Sequence, residues 1–501
     1  MTSTLTADSA PASLPSHAAE PDPKRWLALG VIAIAQLMVV LDASIVNIAL
    51  PSAQRDLHIA VADRQWVITA YTLAFGGLLL LGGRITDFFG RKRIFIVGLV
   101  AFAAASVLGG IAPNAGLLFA ARAAQGAAGA LLAPAALSLI TVTFTEAKER
   151  ARAFGVYGAI AGGGAAIGLI LGGALTEVSW RLCLFVNVPI ALIAAVAAIP
   201  VVRESRAGGA AHYDIPGTLT VSLGLVSLVY GFTKAAEQGV GWSDPLTVTL
   251  LVAAVVLLVA FVAIEARSKH PLLPLRVPLE RNRGGSFLAA LLIGGGLFAM
   301  FLFLTFYFQG TLGYSPVKSG FAFLPFSAGI IVAAGIASQL LPRVGPRNLM
   351  LVGLLLAALG LLYLTQISPA ASYLSHVLPA ELLLSVGMGL NFVPLSSTAL
   401  IGVDNADAGV ASALVNTSQQ VGGSLGTALL STLFATSVAD YGKAHFRGVP
   451  SPAQLQDGLV HGYTTAFAYG AGLLALAFVS VALLVRAGRD ELPAVGALAA
   501  T

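Results

Sequence analysis

The chain has 501 residues, of which 57% are hydrophobic and only 10% charged, with a mean hydropathy of +0.87. A soluble domain of this size needs about 25% charged residues to wet its surface, so a soluble enzyme is excluded. The net charge of +5 does not point to nucleic acid, because the basic residues sit in short connections between apolar runs, where membrane topology accounts for them.

The first 23 residues are rich in Ser, Ala and Pro and read as a disordered tail. They are not a cleaved signal peptide, because the first apolar run is too long and leads directly into further runs. Fourteen apolar runs follow, each long enough to cross a bilayer as a helix of ~20 residues. They are continuous rather than alternating, which selects helices over a closed barrel. The first six lie at 26–50, 65–82, 94–112, 116–141, 155–176 and 182–201. A second group lies at 214–233 and 246–266. The last six lie at 286–308, 319–340, 348–366, 378–402, 408–436 and 463–486. The expected organisation is a cytoplasmic tail (1–25), a six-helix bundle (26–203), a two-helix insert (204–283), a second six-helix bundle (284–487) and a second cytoplasmic tail (488–501).

With the N-terminus inside, 20 of the 28 Lys and Arg fall in inside segments and seven in outside ones, Arg64 and Arg181 among the seven. Only Arg122 lies within a span. That bias places both termini in the cytoplasm. A faint internal repeat supports duplication. The turn 87–92 is echoed at 342–347, Pro134 at Pro394, and Gly164 and Gly168 at Gly422 and Gly426. Parallel six-helix repeats flanking a midplane site are one way to build a transporter.

Asp42 is the only acid in the first span, and a carboxylate there is costly unless paired, wet or protonated. Its depth, ~12 Å from the span's end at Leu50, favours a proton-exchange role over a wet helix end. Arg122 enters the fourth span to a similar depth. A snorkelling arginine would also reach the interface from there, and the nearby Gln125 favours a polar-lined site in which Arg122 pairs with Asp42. In the loop 83–93, Asp87 beside a basic cluster can bond a helix N-terminus or a basic partner, so Asp87, Gly90 and Arg91 read as a conformational latch. Gly164, Gly168 and Gly172 in the fifth span form a small-residue packing seam. Asn47, Gln125, Asn391, Asn416 and Gln420 are candidate cavity residues, whereas Glu381 lies only a few residues into its span and reads as wet. The seven histidines fall in the tail or in loops, so no metal site is expected. Cys183 is the only cysteine, which excludes an intrachain disulfide.

These residues together resemble the major facilitator superfamily, and within it the fourteen-span drug:proton antiporters. The resemblance covers nearly the whole chain after residue 25. It rests on the first span, Gln65-Trp66 and Tyr71, the Asp87–Arg93 loop, Arg122-Ala123-Ala124-Gln125-Gly126, Trp180-Arg181 and Asn187-Val188-Pro189, and on the extra pair of spans. It implies proton-driven export of hydrophobic or cationic compounds, antibiotics included, across the cytoplasmic membrane by a monomer with no cofactor beyond the proton gradient. It also implies proton coupling through Asp42 and Arg122 and a latch at Asp87. Two features depart from the family pattern. Phe88 stands where an arginine often follows the loop aspartate. The fifth-span motif reads Gly164-Ala165-Ala166-Ile167-Gly168-Leu169-Ile170-Leu171-Gly172-Gly173, without its two prolines, which leaves proton-coupled uptake of a metabolite as the alternative. A membrane enzyme or sensor is disfavoured by the absence of a phosphate-binding loop, an HExxH pair or a nucleophile elbow, and by loops of at most about 20–30 residues, too short for an output domain.

Overall fold

The computed structural model describes residues 23–61, 63–144, 146–206, 214–235, 240–269, 271–403, 408–447 and 449–489. Most of both expected tails, 1–22 and 490–501, lies outside the described residues. Among the described residues there is no strand. The helices are α1 (Arg25–Asp56), α2 (Trp66–Phe89), α3 (Arg91–Gly110), α4 (Ala115–Thr143), α5 (Ala147–Val178), α6 (Leu182–Val201), α7 (Ile215–Ala235), α8 (Pro245–Arg267), α9 (Arg281–Thr311), α10 (Pro316–Val344), α11 (Pro346–Gln366), α12 (Tyr373–Leu400), α13 (Ala408–His445) and α14 (Pro452–Leu484). Thirteen are long and apolar enough to cross a membrane, and α5 has its apolar part at Gly163–Val178.

Several helices outrun the apolar stretches that announce them. Helix α14 starts at Pro452 rather than near 463, because Ser451 and Gln454 form a capping box around Pro452, satisfying N–H groups that a helix start leaves open. Asp244, Ser315 and Asn114 cap α8, α10 and α4 by their side chains alone, each accepting from N–H groups of the first turn. Three histidines expected in loops lie on helical turns instead: His376 before α12 proper, His445 at the end of α13 and His461 in α14.

The helices pack as two six-helix bundles, α1–α6 and α9–α14, with α7 and α8 packed on each other and α7 against α2 and α13. The insert therefore covers the seam between the bundles. The two bundles repeat one another in detail. Lys24, just before α1, donates to Pro200 O, and Arg281, which opens α9, donates to Leu484 O. Lys92 then donates to Ile199 O and Arg347 to Ala482 O. In each half, two cations from other helix starts thus satisfy the last carbonyls of the sixth helix, where a helix end carries unpaired acceptors and partial negative charge. The turn glycines match as well. Gly90 has φ +110° and Gly345 φ +82°, a backbone region that side chains disfavour.

The halves meet tightly where α1 and α5 finish and α10 begins. A Cβ on Gly320 of α10 would lie 2.3 Å from Leu169 O of α5, and one on Gly173 of α5 would lie 2.7 Å from Val317 Cα of α10. Gln309 Nε2 of α9 also donates to Ile48 O of α1 at 2.9 Å.

Candidate functional site

Five helices converge on Asp42. Arg122 Nη1 (α4) donates to Asp42 Oδ2 at 2.6 Å, while Gln125 Nε2 (α4) and Asn187 Nδ2 (α6) donate to Oδ1 at 3.1 and 2.8 Å. Arg122 is held in turn by Gln125 Oε1 at 2.8 Å and Val67 O (α2) at 2.9 Å, with its guanidinium 4.5 Å from the Tyr71 ring centroid. Gln125 Nε2 donates also to Ser106 Oγ on α3. Asp42 is fully buried and Arg122 is 2% exposed. Because α1 continues to Asp56, Asp42 lies ~21 Å from that end by the helical rise, deeper than the apolar run alone indicates.

Arranged this way, the carboxylate uses both oxygens as acceptors. Removing either member of a buried pair leaves an uncompensated charge, so the two residues are coupled by cost as well as by distance. A proton on Oδ2 would displace Arg122, whose remaining holds, Val67 O, Gln125 and Tyr71, lie on α2 and α4.

A cavity of roughly 10 Å³, about one water, lies beside Arg122 toward the Asp56 end, with Val46, Leu50, Val67, Leu118 and Cys183 among its walls. Beyond it, Asp56 accepts hydrogen bonds from Trp180 Nε1 and from Arg181. Mostly apolar walls around this cavity separate the buried pair from the ionic cluster.

Asp87, half exposed, pairs with Arg91 at 3.0 Å within its own loop. It does not cap the N-terminus of α3. That position belongs to Glu204, which follows α6 and accepts from Lys92 N and Arg93 N at 3.2 Å each. A Cβ on Gly90 would lie 2.6 Å from Glu204 Oε1, so the bare glycine lets that carboxylate approach.

The glycines of α5 face α1. A Cβ on Gly164 would lie 3.1 Å from Val40, one on Gly168 1.9 Å from Ser44 Oγ, and one on Gly172 3.0 Å from Ile45 Cα. Overpacking of such a contact costs about 1–3 kcal/mol. Gly168→Ala is therefore expected to lower the melting temperature of the purified protein. Adding Ser44→Ala is expected to return most of the loss, which thermal unfolding of the single and double variants checks.

The remaining candidates scatter. Asn47 Nδ2 donates to Ala43 O. Asn391 Nδ2 donates to Gly387 O and the residue packs on Gly353 of α11 at 2% exposure, while Asn416 is exposed. Gln420 lies at the α2–α13 contact, its Cβ near Gly76. The residues read as cavity-lining therefore do not converge on one point.

One reading is corrected, and one burial was not foreseen. Glu381 is not wet. It is fully buried and takes a hydrogen bond from the Tyr373 hydroxyl at 3.2 Å, because the helical turns begin at Tyr373 and place it eight residues in. Arg64, which the charge tally placed in an outside segment, is buried there. It is 3% exposed, with its guanidinium 3.9 Å from the Phe306 centroid and 4.8 Å from that of Phe434. Burial pushes its ionisation below the ordinary arginine value, against the opposing effect of Tyr463. The residues missed at the main site are Asn187 and Ser106. Asn187 had a signal, being the one strongly polar side chain in α6.

Comparison with known proteins fits this geometry. The sequence profile of the Major Facilitator Superfamily matches residues 32–427. The chain is 52% identical over 485 residues to the puromycin resistance protein pur8 of Streptomyces alboniger, covering 96% of this chain and 95% of that one. It is 39% identical to the cephamycin export protein CmcT of Amycolatopsis lactamdurans (81% of this chain, 84% of that one). With the tetracenomycin C resistance and export protein of Streptomyces glaucescens it shares 38% identity (83% and 77%). In fold it is similar to a bacterial homologue of the human lysosomal transporter Spinster, with a TM-score of 0.66 at 14% identity over 95% of this chain and 99% of that one. The chain belongs to the Major Facilitator Superfamily, and it is a transporter rather than an enzyme.

Proposed function

We propose that this transporter exports amphiphilic antibiotics from the cytoplasm in exchange for protons, with puromycin the first compound to test. Two things support the reading: a wholly buried Asp42–Arg122 pair bridged by Gln125, with Asn187 donating to the carboxylate, and the resistance and export proteins to which the chain is similar. The protein sits in the cell membrane as a monomer with both termini inside. The Asp56 end is then external, and the contacts of α5 with α10 close the external side. The moving units are residues 26–203 and 284–487, and the insert 204–283 bridges them.

A proton arriving from outside binds Asp42 and displaces Arg122 onto its α2 and α4 partners. This loosens the tie from α1 to α4 and permits the return step. The latch at Asp87, Gly90 and Arg91 and the seam at Gly164, Gly168 and Gly172 serve the rocking between states. Asn47, Gln125, Asn391, Asn416 and Gln420 contribute polar groups along the substrate route. Proton-coupled uptake is the alternative, and the direction of flux separates the two. In everted vesicles with an acidic lumen, puromycin is expected to accumulate inside and to leave when a protonophore is added. Accumulation that ignores the protonophore, or flux with the proton rather than against it, would overturn the reading.

A further inference from the structure

The insert carries two buried acids that the coupling scheme does not use. Asp214 immediately precedes α7 and is 8% exposed, and Glu265 lies near the end of α8 and is 3% exposed. Each carboxyl has one oxygen committed to the backbone: Asp214 Oδ1 accepts from Gly217 N at 2.7 Å, and Glu265 Oε2 accepts from Leu273 N at 3.0 Å. The other oxygen of each, Asp214 Oδ2 and Glu265 Oε1, is buried with no hydrogen-bond partner among the described residues. The two groups meet above a bare Cα. A Cβ on Gly217 would lie 2.7 Å from Glu265 Oε1 and 2.9 Å from Asp214 Oδ1. Arg84, near the end of α2, contributes charge here, but its side chain is engaged with Pro271 O at 3.3 Å.

Two carboxylates this close and this buried do not both stay ionised, and a buried acceptor without a donor is costly. A proton on Glu265 Oε1 removes one of the two charges and turns that buried oxygen from an acceptor without a donor into a donor toward Asp214. A metal ion would need more ligands than two oxygens, and no group of three or more His, Cys, Asp or Glu suited to a metal occurs among the described residues. We propose that Asp214 and Glu265 form a proton-binding site on the insert, one proton being shared between the two carboxyl groups above Gly217. This site is separate from Asp42 and lies at the face of the protein that carries Arg84 and the Asp87 loop. It gives the insert, which packs on α2 and α13, a protonation state of its own. The assignment stands whichever way the substrate moves.

Infrared spectra of the full-length protein in lipid bilayers at neutral pH test it through the H/D-sensitive C=O stretch of protonated carboxylic acids. The expected result is the loss of one such band in Asp214→Asn, in Glu265→Gln and in Gly217→Ala, with the band retained in Asp42→Asn. Gly217→Ala keeps both acids but drives a methyl group between them, so it separates a shared proton from one that belongs to Glu265 alone. Retention of the band in Asp214→Asn or Gly217→Ala would overturn the proposal, as would absence of any band that Glu265→Gln removes. The amide band of the same spectra identifies a variant that has not folded. Asp214→Glu and Glu265→Asp, which keep both carboxyls, are then expected to shift the band rather than abolish it, and loss in both would count against sharing.

Discussion

Asp42→Asn is expected to lower proton-driven puromycin transport by about two orders of magnitude, the scale of removing a positioned proton-transfer group. It is also expected to destabilise the protein, because an amide leaves Arg122 buried without its counter-charge. Arg122 on α4 and Asn187 on α6 donate directly to Asp42 on α1, and Arg122 has no second carboxylate to turn to among the described residues. Breaking one side of a buried pair costs about 3–5 kcal/mol. Arg122→Gln is expected to cost a similar amount for the opposite reason, a stranded carboxylate. The double variant Asp42→Asn/Arg122→Gln removes both charges and is expected to regain more than half of the summed loss, since a neutral pair has no ion left to desolvate. Transport is not expected to return with stability. Thermal unfolding of the four proteins, alongside pH-gradient-driven flux in everted vesicles, reads the two effects separately. Full gradient-driven export by Asp42→Asn would defeat the coupling role. Strict additivity of the stability losses would mean that the two side chains do not hold each other.

Long apolar runs made the membrane helices legible, because lipid imposes one requirement on every residue of a span and a continuous run meets it visibly. Helix ends were less legible. The start of α14 is written in a polar capping box, Ser451 to Gln454, which a hydropathy reading passes over. Asp42 and Arg122 stood out as lone charges in apolar spans, and the structure brings them together. Asn187 follows the same logic and was read only as part of a resemblance. The partner of the α3 N-terminus was not legible at all. Asp87 is close in sequence, but Glu204, more than a hundred residues away, reaches the N–H groups of Lys92 and Arg93. Glu381 was misread, and the burial of Arg64 was not read, for one shared reason. Short connections and helix starts look solvated in sequence, and only packing reveals that aromatic side chains cover them, Phe306 and Phe434 over one and Tyr373 against the other.

Arg64→Leu is expected to raise the melting temperature and to slow transport. Arg64 belongs to the connection between α1 and α2, whereas Phe306 and Phe434 belong to α9 and α13, so the contact bridges the two halves at the end closed by α5 and α10. Its Nε and Nη2 have no hydrogen-bond partner among the described residues. A desolvated cation–π contact is worth about 2 kcal/mol, and Arg64 makes two with a further favourable effect from Tyr463, whereas burying an ion without a counter-charge costs several kcal/mol. With Nε and Nη2 left without a partner the penalty is taken as the larger, so that closure is held by its apolar packing and opposed by Arg64, which regains water when this end opens. Exchanging a buried ion pair for well-packed apolar side chains is often neutral or stabilises by about 1–4 kcal/mol, and an ion with no counter-charge gives up less attraction when it is removed. An added cysteine supplies the readout: Cys183, the only cysteine in the chain, is changed to Ser, and Gln309, whose amide crosses from α9 to Ile48 O of α1, is changed to Cys, so that a thiol reagent reaches it faster when the halves part. Labelling in Arg64→Leu is expected to slow by about tenfold, the equivalent of 1.4 kcal/mol at the low end of that range, and turnover is expected to fall with it. Faster labelling together with a lower melting temperature would show the opposite balance, with the aromatic contacts outweighing the buried charge and Arg64 acting as a clasp instead of a spring.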